Sequence, residues 1–223
     1  MNLNFIQTAY LTFVNEPMDP TRGVRYSIAW GNGGPLIEDR EFRFTRFRHN
    51  WFEGRSSYYY YLPALRQAKL AARLDGGRLF GEGGANSDRF FLGGSRSVRS
   101  FDFQKLCPEK ITDSTGTYCS TQNLTAAYFQ TSYELRTDLF DFGYLDPRSR
   151  ARFLIPLQTV IFYDFGKVWD VEEGFSFKTQ RPGQGYAYGF GFRYPLLGIF
   201  NLRVDFPFGN GGHGFWIDLS QSF

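Results

Sequence analysis

The sequence predicts an all-β fold, a transmembrane antiparallel β-barrel of which about nine strands are present. Three observations lead there. Aromatic residues make up 20% of the 223 residues, with 26 Phe and 14 Tyr, yet mean hydropathy is only −0.36. The chain has no apolar run of the roughly 20 residues that a membrane helix needs. Apolar and polar residues alternate instead, in stretches close to the roughly 10 residues with which a tilted strand crosses a bilayer.

Alternation is the direct mark of a strand, because successive side chains point to opposite faces. Residues 3–14 alternate loosely. In 22–31, Val24, Tyr26, Ile28 and Trp30 share one face. Residues 41–62 form a long segment, charged at both ends, with a phase slip near Arg46. In 67–75 the polar face carries Lys69, Arg73 and Asp75; in 122–136 it carries Gln130, Ser132, Glu134 and Arg136. Residues 152–169 form a strand with Pro156 near its start. In 185–194 Tyr186, Tyr188, Phe190, Phe192 and Tyr194 oppose glycines, Ala187 and Arg193. In 199–206, Phe200, Leu202, Val204 and Phe206 oppose Asn201, Arg203 and Asp205. The last segment, 214–223, sets Phe215, Ile217, Leu219 and Phe223 against Trp216, Asp218 and two serines. Bulky groups on one face and charged or small groups on the other suit a lipid-facing wall around a wet interior. In water the same aromatic faces would need a second sheet to cover them.

The connections fit this arrangement. With the C-terminus on the inner side, the turns at 195–198, 138–150, 63–66 and 15–21 fall inside. The loops at 209–213, 170–183, 81–121 and 32–40 fall outside. Short inner turns and long outer loops are the habit of bacterial barrels; the turn at 138–150 is the one long exception. Residues 1–223 thus read as a single barrel unit with a long outer loop at about 81–121.

Other classes find no support. The net charge is +3 with Lys and Arg scattered, which argues against nucleic acid as a partner. The two His have no ligand spacing, no Ser-His-Asp arrangement or nucleophile elbow occurs, and neither a metal, a cofactor nor an enzymatic activity is expected. The start, Met1 to Tyr10, has neither a basic region nor an apolar core of signal-peptide type. Cys107 and Cys119 lie in the long outer loop, where an oxidising exterior makes a disulfide the default.

Two motifs are more specific. The first runs Phe90-Phe91-Leu92-Gly93-Gly94-Ser95-Arg96-Ser97-Val98-Arg99-Ser100-Phe101. The second is Phe162-Tyr163-Asp164-Phe165-Gly166, one hairpin further on. In this order the pair resembles the BamA/TamA superfamily, the bacterial surface antigen family. There a loop carrying F-x-x-G-G-x-x-S-V/I-R-G-F/Y folds back into the barrel, and F-x-D-x-G lies on the wall. Ser100 stands where that pattern has Gly, and because Ser reaches φ > 0 less freely, the loop tip is expected to be strained or re-shaped.

The resemblance implies that Gly93, Gly94, Val98, Arg99 and Phe101 form a loop motif inside the barrel. Its partners on the wall would be Phe162, Asp164 and Gly166, with Glu134 on the intervening strand. Arg99 would pair with Asp164 and Glu134 and pin the loop. Phe215, Ile217, Leu219 and the terminal Phe223 look like the strand signal by which outer-membrane proteins are recognised for assembly. The family barrel has sixteen strands, so the chain is expected to be its C-terminal part, without the N-terminal strands and POTRA modules.

The implied setting is the outer membrane of a Gram-negative-type bacterium. The implied activity is assembly, insertion or translocation of outer-membrane proteins. Its partners would be the lipid bilayer, unfolded client proteins, and periplasmic or lipoprotein partners bound through N-terminal modules. Two alternatives stand beside it: the membrane anchor of a patatin-like phospholipase, and a two-partner secretion pore.

Overall fold

A computed structural model of the chain describes residues 2–15, 20–35, 49–63, 68–81, 90–103, 105–107, 110–113, 116–119, 127–145, 152–169, 183–196 and 200–220. The four strands of the first half are β1 (Asn2–Val14), β2 (Gly23–Pro35), β3 (His49–Leu62) and β4 (Ala68–Gly81). A small hairpin follows, of β5 (Lys110–Asp113) and β6 (Gly116–Cys119). The second half holds β7 (Ala127–Leu145), β8 (Arg152–Trp169), β9 (Gln184–Leu196), β10 (Phe200–Gly209), β11 (Gly212–His213) and β12 (Trp216–Ser220).

All but the hairpin join one antiparallel sheet in the order β1-β2-β3-β4-β7-β8-β9-β10, with β11 and β12 both paired to β10. Each of the nine expected strands is present in it. β11 and β12 are one final strand, interrupted at Gly214 and Phe215. Opposite the break lies Pro207, which has no N–H to give to the ladder; its carbonyl accepts from Gly214 N at 3.1 Å. The sheet is open among the described residues, with β1 at one edge and β12 at the other.

Two expected boundaries change most. The inner turn expected at 138–150 is mostly strand: β7 runs on to Leu145 and β8 begins at Arg152. A register shift between Asp138 and Phe140 leaves Leu139 unpaired. This bulge resets the alternation, so a single period cannot be followed through it. β4 continues past the expected Asp75 to Gly81, through two glycines that carry no pattern. The proposed stretch 41–48 lies outside the described residues.

The faces segregate by chemistry. Tyr26, Ile28, Trp30, Ile161, Tyr188 and Ile217 are exposed on the outer face. Glu134, Asp164, Arg193 and Asp205 are buried on the inner one. An outer face this apolar in an open, curved sheet is a wall built for lipid rather than water. The concave side is not empty. The loop after β4 lies against it, and Leu92, Val98, Phe101 and Leu106 of the loop pack on Tyr128, Val160, Phe162, Val168 and Ala187 of the wall.

Candidate functional site

The loop reaches the wall through local backbone chemistry. Gly93 and Gly94 have φ of 112° and 98°, a region open to glycine. A Cβ on Gly93 would also stand 2.3 Å from the Asp102 carbonyl oxygen. The two glycines reverse the chain, and Gly94 N donates to Phe101 O at 2.8 Å, closing a compact turn around residues 95–100. Leu106 N donates to Leu92 O at 3.1 Å, so the returning arm pairs with the entering one.

The wall is shaped to receive this turn. A Cβ on Gly166 would meet Val98 Cγ2 at 2.5 Å and Leu92 Cδ1 at 2.9 Å. One on Gly185 would meet Phe101 Cε2 at 2.6 Å. These glycines are gaps in the inner face that loop side chains fill. They place Val98 and Phe101 against β8 and β9 and leave Arg99 between them, aimed at the sheet.

Arg99 is 2% exposed and meets three carboxylates from three strands. Its Nε lies 2.9 Å from Asp164 Oδ2 on β8, its Nη2 2.7 Å from Glu134 Oε1 on β7, and its Nη1 3.1 Å from Asp205 Oδ2 on β10. Nη2 also donates to Ser132 Oγ at 3.2 Å, and the guanidinium sits 3.7 Å from the centroid of the Phe162 ring. The carboxylates are shared onward. Glu134 contacts Arg136 at 2.8 Å and Arg193 at 3.1 Å, and Asp205 pairs with Arg193 and Arg203. Four arginines thus share three carboxylates in one buried network. Burial alone would favour neutral Arg99; the carboxylates of Asp164, Glu134 and Asp205 outweigh it and hold its pKa above the ordinary arginine value. Removing one partner from such a buried network typically costs about 3–5 kcal/mol, since its counter-charges stay buried.

Further contacts fix the rest of the turn. Ser97 Oγ donates to Gln130 Oε1 at 2.6 Å, and Arg73 Nη2 donates to the Arg96 carbonyl. Ser100 Oγ donates to the Tyr186 carbonyl at 2.7 Å. The serine that replaces the pattern's glycine therefore adds a bond from the loop to β9. Arg96 forms a two-pronged contact with Asp218, at 3.0 and 3.2 Å, and Ser95 Oγ donates to the same carboxylate at 3.2 Å. The Asp218 hydrogen bond raises the pKa of Arg96 from its ordinary value.

The structure therefore brings Gly93, Gly94, Val98, Arg99 and Phe101 together with Glu134, Phe162, Asp164 and Gly166. It also brings in residues that reading the sequence left out of the site: Asp205, Arg193, Arg203, Ser132, Leu92 and Leu106. The first four already stood on polar faces of their strands; alternation gave their side but not their depth. Leu92 and Leu106 had no periodic signal to reveal them. Cys107 is disulfide-bonded, and the only other cysteine of the chain is Cys119. Phe215, Ile217 and Leu219 lie on the outer face at 55–61% exposure. Phe223 lies outside the described residues.

Comparison with known proteins agrees with this geometry. No curated protein sequence matches the chain. Among solved structures, BamA from Haemophilus ducreyi lacking POTRA domains 1–3 superposes with a TM-score of 0.63 at 15% identity. That match covers 99% of this chain and 40% of the BamA chain, so the chain spans well under half the length of that structure. The Omp85 superfamily domain matches residues 3–223. With a family match over nearly its whole length and a barrel wall of that fold, the chain belongs to the Omp85 superfamily.

Proposed function

We propose that this chain forms part of an outer-membrane barrel that assembles, inserts or translocates other outer-membrane proteins. One observation carries the reading: Arg99, at the tip of a long loop, is buried against carboxylates from β7, β8 and β10. A loop held this firmly inside a barrel wall braces the wall rather than lining an open pore. Membership of the Omp85 superfamily supports the same function.

In this reading the outer face meets the lipid and the polar inner face lines the interior. Phe215, Ile217, Leu219 and Phe223 carry the signal for the protein's own assembly. Clients are unfolded outer-membrane proteins, whose strands pair with an exposed sheet edge by β-augmentation. Pairing of this kind satisfies backbone groups that would be costly to leave bare in lipid. It needs no cofactor and no covalent chemistry. N-terminal modules would supply periplasmic or lipoprotein partners.

The test is reconstitution of the full-length protein in liposomes with a urea-unfolded outer-membrane protein. Folding of the client at least about tenfold faster than in empty liposomes is expected. Equal rates would overturn the insertion reading. Passage of a soluble polypeptide without client folding would assign the barrel to secretion, and hydrolysis of liposomal phospholipid would assign it to an enzyme anchor.

A further inference from the structure

The final strand is held in two unlike ways. Its ladder to β10 covers Trp216 to Ser220, then breaks opposite Pro207. On its far side β12 has no neighbour among the described residues. A ladder interrupted in this way gives the strand fewer backbone bonds to β10 than an unbroken one would make. Yet its inner face is gripped by the loop. Trp216 Nε1 donates to the Arg99 carbonyl at 2.7 Å. Two residues on, Asp218 receives Ser95 and both prongs of Arg96. Arg203 of β10 adds a contact to the Ser95 carbonyl at 3.4 Å. The residues gripping β12 immediately precede, or belong to, the motif that anchors Arg99.

From these contacts we infer that Ser95 and Arg96 with Asp218, and Trp216 with the Arg99 carbonyl, form a latch that couples docking of the loop to attachment of the edge strand. The two halves of the loop's hold differ in kind. The Arg99 cluster is buried and little affected by ions in solution. Arg96 is 64% exposed on its side chain, and its pair with Asp218 is open to screening. The latch is the salt-sensitive half and the Arg99 cluster the permanent one. Freeing Arg96 releases β12 while the loop stays docked. Releasing the loop also removes Trp216's acceptor and so loosens β12. Coupling of this kind is reciprocal, so drawing β12 away weakens the hold on Ser95 and Arg96, while the buried Arg99 cluster keeps residues 97–101 docked.

Amide hydrogen exchange of the full-length protein in lipid nanodiscs tests the latch without reference to client folding, so its outcome is separate from that of the proposed function. In Asp218→Asn or Arg96→Gln, exchange across residues 216–220 should rise about two- to fivefold, the range expected for one well-oriented, partly exposed pair. Exchange at 97–101 and in β8 should stay unchanged. Raising salt on the unaltered protein should reproduce the effect, and the charge-exchanged double variant Arg96→Glu with Asp218→Arg should reverse most of it. Unchanged exchange at 216–220 would overturn the inference. So would an equal rise in every strand, or a rise that neither salt nor the exchanged pair follows; each would reduce the contact to general support of the fold.

Discussion

The two halves of the sheet share one alternation but not one interior. Across β7 to β10 the inner face is buried under the loop, with Glu134, Asp164 and Asp205 each 1% exposed. Across β1 and β2 it is more open, while on β3 the inward Ser57 and Tyr59 are still buried, at 2% and 4% exposure. On β1, Tyr10 and Ile6 stand 74% and 61% exposed on the side that pairs with inward Ser27 and Gly31. Nearby, Tyr10, Thr12, Arg25, Tyr26, Ser27 and Arg55 line an open hollow. Alternation decides which way a residue faces, while the loop decides whether that face becomes a core. Charges on the covered half are forced into a closed network; charges on the open half keep access to solvent.

The comparison is broken most directly by Arg99→Ala. It leaves three carboxylates without their shared cation and should cost about 3–5 kcal/mol of loop docking. Protease cleavage within 90–103 should become rapid, with the β1–β3 half unaffected; an equally resistant loop would mean that apolar packing alone holds it.

Gly166→Ala comes next. Its new Cβ would press on Val98 and Leu92 at 2.5 and 2.9 Å, an overpacking of about 1–3 kcal/mol read as a lower unfolding temperature. A control on the outer face of the other half, Gly54→Ala, meets only Phe52 at 3.8 Å and should shift stability by less than about 0.5 kcal/mol. Similar losses at both sites would contradict the docking geometry.

Ser100→Gly removes the bond to the Tyr186 carbonyl and should weaken the loop by about 0.5–1.5 kcal/mol, seen as faster amide exchange at 98–101. A stabilised loop would instead show that strain at this serine outweighs its bond. The smallest effect belongs to the open half. Tyr10→Phe should leave loop protease resistance unchanged and stability within about 0.5 kcal/mol.

How far the sequence could be read follows the same division. Strands with large residues opposing small or charged ones, such as β9 and β10, were legible face by face, though their ends lay one to three residues from those expected, because lipid on one side and a packed loop on the other leave each face one chemistry. The second part of β7 was not, since one unpaired residue, Leu139, exchanges the two faces midway. The break in the final strand was hidden because its cause, Pro207, sits on the partner. Within the site, Arg99, Glu134 and Asp164 were legible through the resemblance and the polar faces together. Asp205 was not, because its role depends on how far the wall curves to bring β10 within reach of a loop that leaves from β4.

That reach has a mechanical meaning. At neighbouring residues the loop is tied both to β4 and β7, through Arg73 on the Arg96 carbonyl and Gln130 on Ser97, and to β12, through Asp218 on the Arg96 guanidinium. In the sheet those ties are separated by β8, β9 and β10. The turn is to this sheet what a cross-tie is to an arch: it holds at a fixed separation strands that the sheet order sets apart. Residues inserted between Gly94 and Arg99 would pull Arg96 and Ser97 off their partners on one side or the other without altering a single strand.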